Sequence, residues 1–216
     1  MYLCLETATR NCSVALIQDD VLVDFFEREE NEFVHAEALH QMMKELLDRN
    51  NLKPSELNGI AVGTGPGSYT GLRIGVTAAK GLGYALNIGV VPITTGELLV
   101  NAVRNNSEST PVALIDARRN DAYVFTKGEW SFATLNEDWR TNLGIEHAIF
   151  VGDAAIKMKD FMWKEDQLEI VSPSAKHFVG LLPATSTNFE EHMAQIEPFY
   201  MKEFVPTESK KNILNG

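Results

Sequence analysis

The sequence predicts an α/β fold given twice, and three observations carry that prediction. Three β-patterned segments open the chain and are followed by alternating helical and strand patterns. The same order starts again after a polar stretch, Asn105 to Pro111. Between them stands GTGPGSYTGLRIG, Gly63 to Gly75, which sets five glycines and a proline between an apolar run and a helical pattern. A turn of that composition, between a strand and a helix, marks an α/β unit.

Residues 2 to 7 (YLCLET), 13 to 18 (SVALIQ) and 21 to 28 (VLVDFFER) read as a meander of three strands, with Thr9-Arg10-Asn11 and Asp19-Asp20 at the turns. A helix follows from Glu32 to Asn50. At 100° per residue His35, Ala36, Leu39, Met42, Met43 and Leu46 share one broad stripe, with Glu37, Lys44, Glu45 and Asp48 outside it. Asn50-Asn51 and Pro54 end that helix, and Ser55-Glu56-Leu57 starts a short helical turn. Gly59-Ile60-Ala61-Val62 reads as a buried strand, and Leu72 to Leu86 as a helix. Ser68 or Thr70 supplies its cap. VVPIT (90 to 94) is the fifth strand, and Thr95 to Arg104 the next helix.

After the 105–111 linker, VALID (112 to 116) and AYVFTK (122 to 127) are strands joined by an Arg118-Arg119-Asn120 turn. Residues Trp130 to Gly144 show no regular pattern. HAIFVG (147 to 152) is a buried strand leading through Asp153, as N-cap, into a helix; LEIVS (168 to 172) is another strand and Ala175 to Leu182 another helix. Two ribonuclease-H-like halves, 1–105 and 111–202, with a tail at 203–216 frayed over its last eight residues, are the domain expectation. That is the architecture of the actin, sugar kinase and Hsp70 superfamily.

The 216 residues, 44% of them hydrophobic and 23% charged, are those of an ordinary globular protein. A net charge of −11 argues against direct nucleic-acid binding, so in an RNA pathway such a chain would work through a basic partner. No signal-peptide pattern and no long apolar run is present, which makes a cytosolic location, away from membranes, the expectation. Cys4 and Cys12 lack metal-site spacing and read as reduced, buried residues of the first hairpin.

The glycine stretch is not a standard phosphate cradle. Gly71 is followed by Leu72-Arg73 where a Walker loop has Lys-Ser/Thr, and Gly65-x-Gly67 is followed by Thr70 where a dinucleotide loop has its third glycine. It is expected to be a structural turn. Ser68 does not stand in a G-x-S-x-G elbow. His147, His177 and His192 have no partner spacing, and His35 and His40, five residues apart, lie about 140° apart on a helix, too far round to share a metal.

GPGSYTGLRIG, with LCLETATRNCSVAL at the start and LIDARRNDAYV later, closely resembles the TsaB (YeaZ) family. Glu197-Pro198-Phe199-Tyr200-Met201-Lys202 is similar to that family's C-terminal Pro-x-Tyr motif. The resemblance implies the superfamily fold and a non-catalytic scaffold in the synthesis of threonylcarbamoyladenosine on tRNA. In enzymes of the fold, a carboxylate and a glycine from each first hairpin hold phosphate and metal. The matching places here, Glu6-Thr7-Ala8-Thr9 and Asp116-Ala117-Arg118, lack the glycine, and Gly152-Asp153-Ala154 keeps one glycine of the adenosine pair. A nucleotide is therefore expected only at a surface shared with partners, and no metal. The competing reading is an ATP-dependent small-molecule kinase or a glycoprotease-like hydrolase of the same fold.

The resemblance further implies docking of a TsaD-like catalytic subunit through the two helices flanking the first sheet, a homodimer on the same surface when that subunit is absent, a TsaE-like ATPase joining the pair, and tRNA reached only through the complex. The expected partner residues are His35, Leu39, Met42, Met43 and Leu46 of the first helix, and Gly71, Gly75 and Ala79 of the second, a row of small side chains. The first stripe, about 140° wide against the ~100° of a single buried face, serves core and interface equally well on sequence alone. The motif loop comprises Gly65, Pro66, Gly67, Ser68, Thr70, Gly71 and Arg73.

Overall fold

The computed structural model describes residues 1–29, 35–105, 108–183 and 195–201, with the side chains of 35–37 left out of that description. Strands β1 (Tyr2–Glu6), β2 (Asn11–Gln18) and β3 (Val21–Glu29) form the meander. Next come helix α1 (His35–Arg49), strand β4 (Gly59–Gly63), helix α2 (Tyr69–Leu86), strand β5 (Gly89–Ile93) and helix α3 (Thr95–Ala102). The second series is β6 (Thr110–Asp116), β7 (Asp121–Thr126), β8 (Glu129–Thr134), α4 (Glu137–Asn142), β9 (Ala148–Val151) and β10 (Gln167–Glu169).

The duplication is explicit in the topology. One sheet has the order β3-β2-β1-β4-β5 and the other β8-β7-β6-β9-β10. In each, three antiparallel strands continue into two parallel ones. These are two ribonuclease-H-like halves.

β1 is buried at every position because it is central and covered on both faces. Alternation sends Leu3 and Leu5 toward α1 and α2, while Tyr2 and Cys4 turn to Leu98 and Phe178. Cys12 lies with the first set, so the two free cysteines occupy opposite faces. Helix α3 joins the halves: Leu98 packs on the first sheet and Leu99 on the second, beside Ala113, Ile115 and Phe125.

The second half departs from the expected pattern in four places. The irregular 130–144 stretch contains β8 and α4, the latter capped by the Asn136 side chain, which accepts from Trp139 N at 2.8 Å. The helix expected after Gly152 is one 3₁₀ turn, Ala155–Met158, and Asp153 does not cap it. Its carboxylate instead accepts the Asp116 N–H at 3.0 Å, bracing β6. The expected 175–182 helix is a 3₁₀ turn, Ala175–Phe178, closed by Gly180 at φ 81°. That turn packs on the first sheet through Ala175 and Phe178, so residues 173–178 fold back on the first half.

Buried Arg140 is satisfied by Asp166, at 2.6 and 2.8 Å, and by the Ile145 carbonyl at 2.9 Å. Trp163 lies under its guanidinium at 3.8 Å. That pairing holds the Asp166 carboxyl below its ordinary range despite the opposing effect of burial, which is the larger single influence.

Candidate functional site: the glycine turn and the helix groove

The turn from Gly63 to Ser68 is built by close backbone approach. A Cβ on Gly67 would lie 2.3 Å from the Ala8 carbonyl oxygen, which also accepts the Ser68 N–H at 2.6 Å. The glycine turn is thus packed directly against the backbone of the first hairpin. Gly65 takes φ 109° and is joined to Pro66 by a cis peptide. Ser68 caps α2 through Gly71 N at 3.2 Å, and the helix starts at Tyr69, three residues before the expected Leu72.

Glu6 and Asp116, at the places that match the ligand carboxylates of the fold's enzymes, have partners inside this chain. Glu6 is fully buried; one oxygen accepts Ala8 N at 2.5 Å, and the other lies where any Cβ on Gly63 would have to go, 1.8 Å away. Burial raises its carboxyl to about 7, against the lowering effect of the Ala8 and Thr7 N–H groups. Asp116 is paired with Lys157 at 2.5 Å. Neither arrangement fits a Mg²⁺-nucleotide cradle within this chain. Among the described residues no group of three or more His, Cys, Asp or Glu side chains is placed to hold a metal.

The predicted partner residues whose side chains are described all lie buried in this chain. Leu39 and Leu46 are fully buried, and Met42 and Met43 nearly so, all in the core between α1, α2 and the first sheet. Over its described residues the α1 stripe packs into that core, with Met43 at its outer edge. His35 begins α1, its side chain outside the described residues. The row Gly71, Gly75 and Ala79 also faces inward. Thr7 Oγ1 donates to the Gly71 carbonyl at 2.8 Å and would lie 2.3 Å from a Cβ on Gly75. The small residues let α2 approach β1, not a helix from elsewhere.

The outer face of α2 carries the feature that the sequence reading missed. Between α1 and α2 an open groove of about 740 Å³ is walled by His40 and Met43 on one side and Arg73, Ile74, Thr77 and Gly81 on the other. Its signal was in the sequence, as a second small-residue row, Thr77-x-x-x-Gly81-x-x-x-Ala85, about 120° round the helix from the first. A Cβ on Gly81 would meet nothing within 4 Å.

Residues 196–200 form a strap against the glycine turn and α2. Phe199 N donates to the Thr64 carbonyl at 2.7 Å, and Lys80 Nζ to the Ile196 carbonyl at 3.1 Å. Tyr200 stacks on Tyr69 at 4.9 Å, and Phe199 meets Trp130 of the second half edge-on at 5.6 Å. Arg73 donates to the Tyr69 hydroxyl at 3.0 Å. The Pro-Phe-Tyr segment and the glycine turn, 130 residues apart in the chain, form one structure.

The family model described as TsaD, tRNA N6-adenosine threonylcarbamoyltransferase, matches residues 29–204. The tRNA threonylcarbamoyladenosine biosynthesis protein TsaB of Escherichia coli (strain K12) is 34% identical over 122 residues, 56% of this chain and 52% of that protein. The protein of the same description from Buchnera aphidicola subsp. Baizongia pistaciae is 25% identical across 93% of this chain and 97% of its own length. The chain belongs to this family, in its TsaB (YeaZ) branch.

YeaZ from Pseudomonas aeruginosa superposes with a TM-score of 0.66 at 26% identity, covering 83% of this chain and 89% of that one. The matched stretch spans about half the length of the first E. coli and Haemophilus influenzae relatives, at 52% and 51%. No helix among the described residues is long and apolar enough to cross a membrane.

Proposed function

We propose that this chain acts in the threonylcarbamoyladenosine modification of tRNA as a non-catalytic scaffold that docks a TsaD-like catalytic subunit in the groove between α1 and α2. The observation that carries the reading is the groove itself. It is open and largely apolar, and its α2 wall includes the small residues Thr77, Gly81 and Ala85, along which another helix can approach closely. The names of the relatives supply the pathway. The scaffold role is supported by the glycine turn packed against Ala8, by the buried Glu6 and by the Lys157-paired Asp116, positions at which enzymes of the fold hold their ligand. Any nucleotide then sits at a surface shared with partners. A TsaE-like ATPase joins the docked pair, a second copy of this chain takes the groove when the catalytic subunit is absent, and tRNA is met only in the assembly.

Gly81→Glu tests the docking. Its new side chain starts in open space, so the chain keeps its fold, yet it sets a carboxylate in the middle of the groove. Capture of a TsaD-like subunit should fall about a hundredfold, the scale of an uncompensated charge buried in a contact. Capture equal to wild type would remove the groove from the interface.

A further inference from the structure

The β6–β7 hairpin turns through Arg118 and Arg119, whose φ angles are 73° and 51°. Four of the other five non-glycine residues at positive φ among the described residues are Asp19, Asp20, Asn51 and Asn87, side chains that tolerate this region. Two arginines in succession do not belong to that class. Holding them there has a conformational cost that asparagine or glycine avoids, and such strain persists where the side chain itself is needed.

The turn is rigid. Asp121 N donates to the Arg118 carbonyl at 3.0 Å, Ala117 N to the Asp121 carbonyl at 3.2 Å, and Arg118 N to Asp116 Oδ1 at 2.9 Å. Both arginines are exposed, and neither has an ion-pair partner among the described residues. The neighbouring carboxylates are engaged: Asp116 by Lys157 at 2.5 Å, Asp121 by the Thr134 hydroxyl at 2.7 Å, and Asp153 by Asp116 N at 3.0 Å.

Beside the turn, Tyr123 of β7 and Phe132 of β8 form a ring pair at 6.0 Å, and Phe132 is 44% exposed. Tyr123 is near enough to Arg118 for the guanidinium charge to act on its phenol, in the direction opposite to burial. Cationic groups next to a partly exposed aromatic ring meet both parts of a nucleotide, the phosphate and the base. An acidic peptide would use only the charges.

We propose that this corner contacts a single-stranded stretch of the tRNA, with Arg118 and Arg119 on backbone phosphates and Phe132 against a base. At a net charge of −11 the chain does not hold RNA by itself. The corner acts once a partner has brought the RNA to it, so the inference rests on the docking reading above.

The test uses the full chain mixed with a TsaD-like subunit and tRNA, with affinity followed across a salt series. Arg118→Asn with Arg119→Asn keeps a turn that asparagine accepts, so the variant should melt no lower than wild type. It should flatten the slope of log affinity against log salt by about 1.5, two phosphate contacts' worth, and weaken binding at least tenfold at physiological salt. Phe132→Ala should weaken binding severalfold with the slope unchanged. Co-elution of wild-type chain and catalytic subunit, with affinity and slope unaltered by the asparagine pair, overturns this inference and leaves the docking intact. Failure of the wild-type chain to co-elute overturns the docking and this inference with it.

Discussion

Two glycines six residues apart on α2 should respond to the same substitution with opposite sign. Gly81 is exposed on the outer face and a Cβ there has open space, so Gly81→Ala removes only backbone freedom from the unfolded chain and should stabilise by about 0.5–1 kcal/mol. Gly75 faces β1, and its Cβ would stand 2.3 Å from Thr7 Oγ1, well inside contact distance. Either Thr7 rotates or α2 lifts. Rotation sacrifices the buried bond from Thr7 to the Gly71 carbonyl, at about 1–3 kcal/mol. The crowding adds roughly 1–3 kcal/mol, against a helix-propensity gain of about 1, for a net loss of about 1–5 kcal/mol.

For a chain of this size each kcal/mol moves the melting temperature by about 2–4 °C, so circular dichroism melts separate the two variants readily. Gly81→Ala should rise by a few degrees and Gly75→Ala should fall by at least as much. Shifts of the same sign would refute the assignment of inner and outer faces, and with it the groove.

The buried Glu6 predicts an unusual pH response. Its folded value of about 7 stands above the ordinary carboxylate value, so its contribution to stability is complete below about 4.5 and is lost as pH rises to about 7; Glu6→Gln, which cannot ionise, should abolish that loss and be more stable than wild type at pH 8 by up to roughly 3 kcal/mol. His177, pushed down to about 4 by burial, works in the other direction between about 4 and 6.5, and the difference between the wild-type and Glu6→Gln urea titrations isolates the carboxyl. A difference that does not change from pH 4.5 to 8 would show that Glu6 is not the titrating group. Arg140→Ala leaves Asp166 buried and uncompensated and should cost about 3–5 kcal/mol in urea unfolding; a loss below about 1 kcal/mol would mean that water replaces the guanidinium.

Much of the fold was legible because its signals are local. The short apolar run in YLCLET, the Asp19-Asp20 turn, the Ser68 cap and the polar break before Pro111 each need only a few neighbouring residues, and they yielded the meander and its repetition. The second half was less legible. β8 is an exposed edge with little alternation, and Asp153, which reads as a helix cap, is drawn to Asp116 N, 37 residues away.

The site was legible as a pair of helices but not as a pair of faces. Helical period reveals two small-residue rows on α2, Gly71-Gly75-Ala79 and Thr77-Gly81-Ala85, and a broad apolar stripe on α1, but period alone has no sign. Only the tertiary structure decides that the first row meets Thr7 of β1, that Leu39 and Leu46 are core, and that the second row looks out over the groove. Which face turns inward depends on the sheet that the helix lands on, and that sheet is assembled from strands up to 90 residues apart in the chain. The strap has the same origin, since the closeness of Phe199 to Thr64 is a long-range contact that no local pattern encodes.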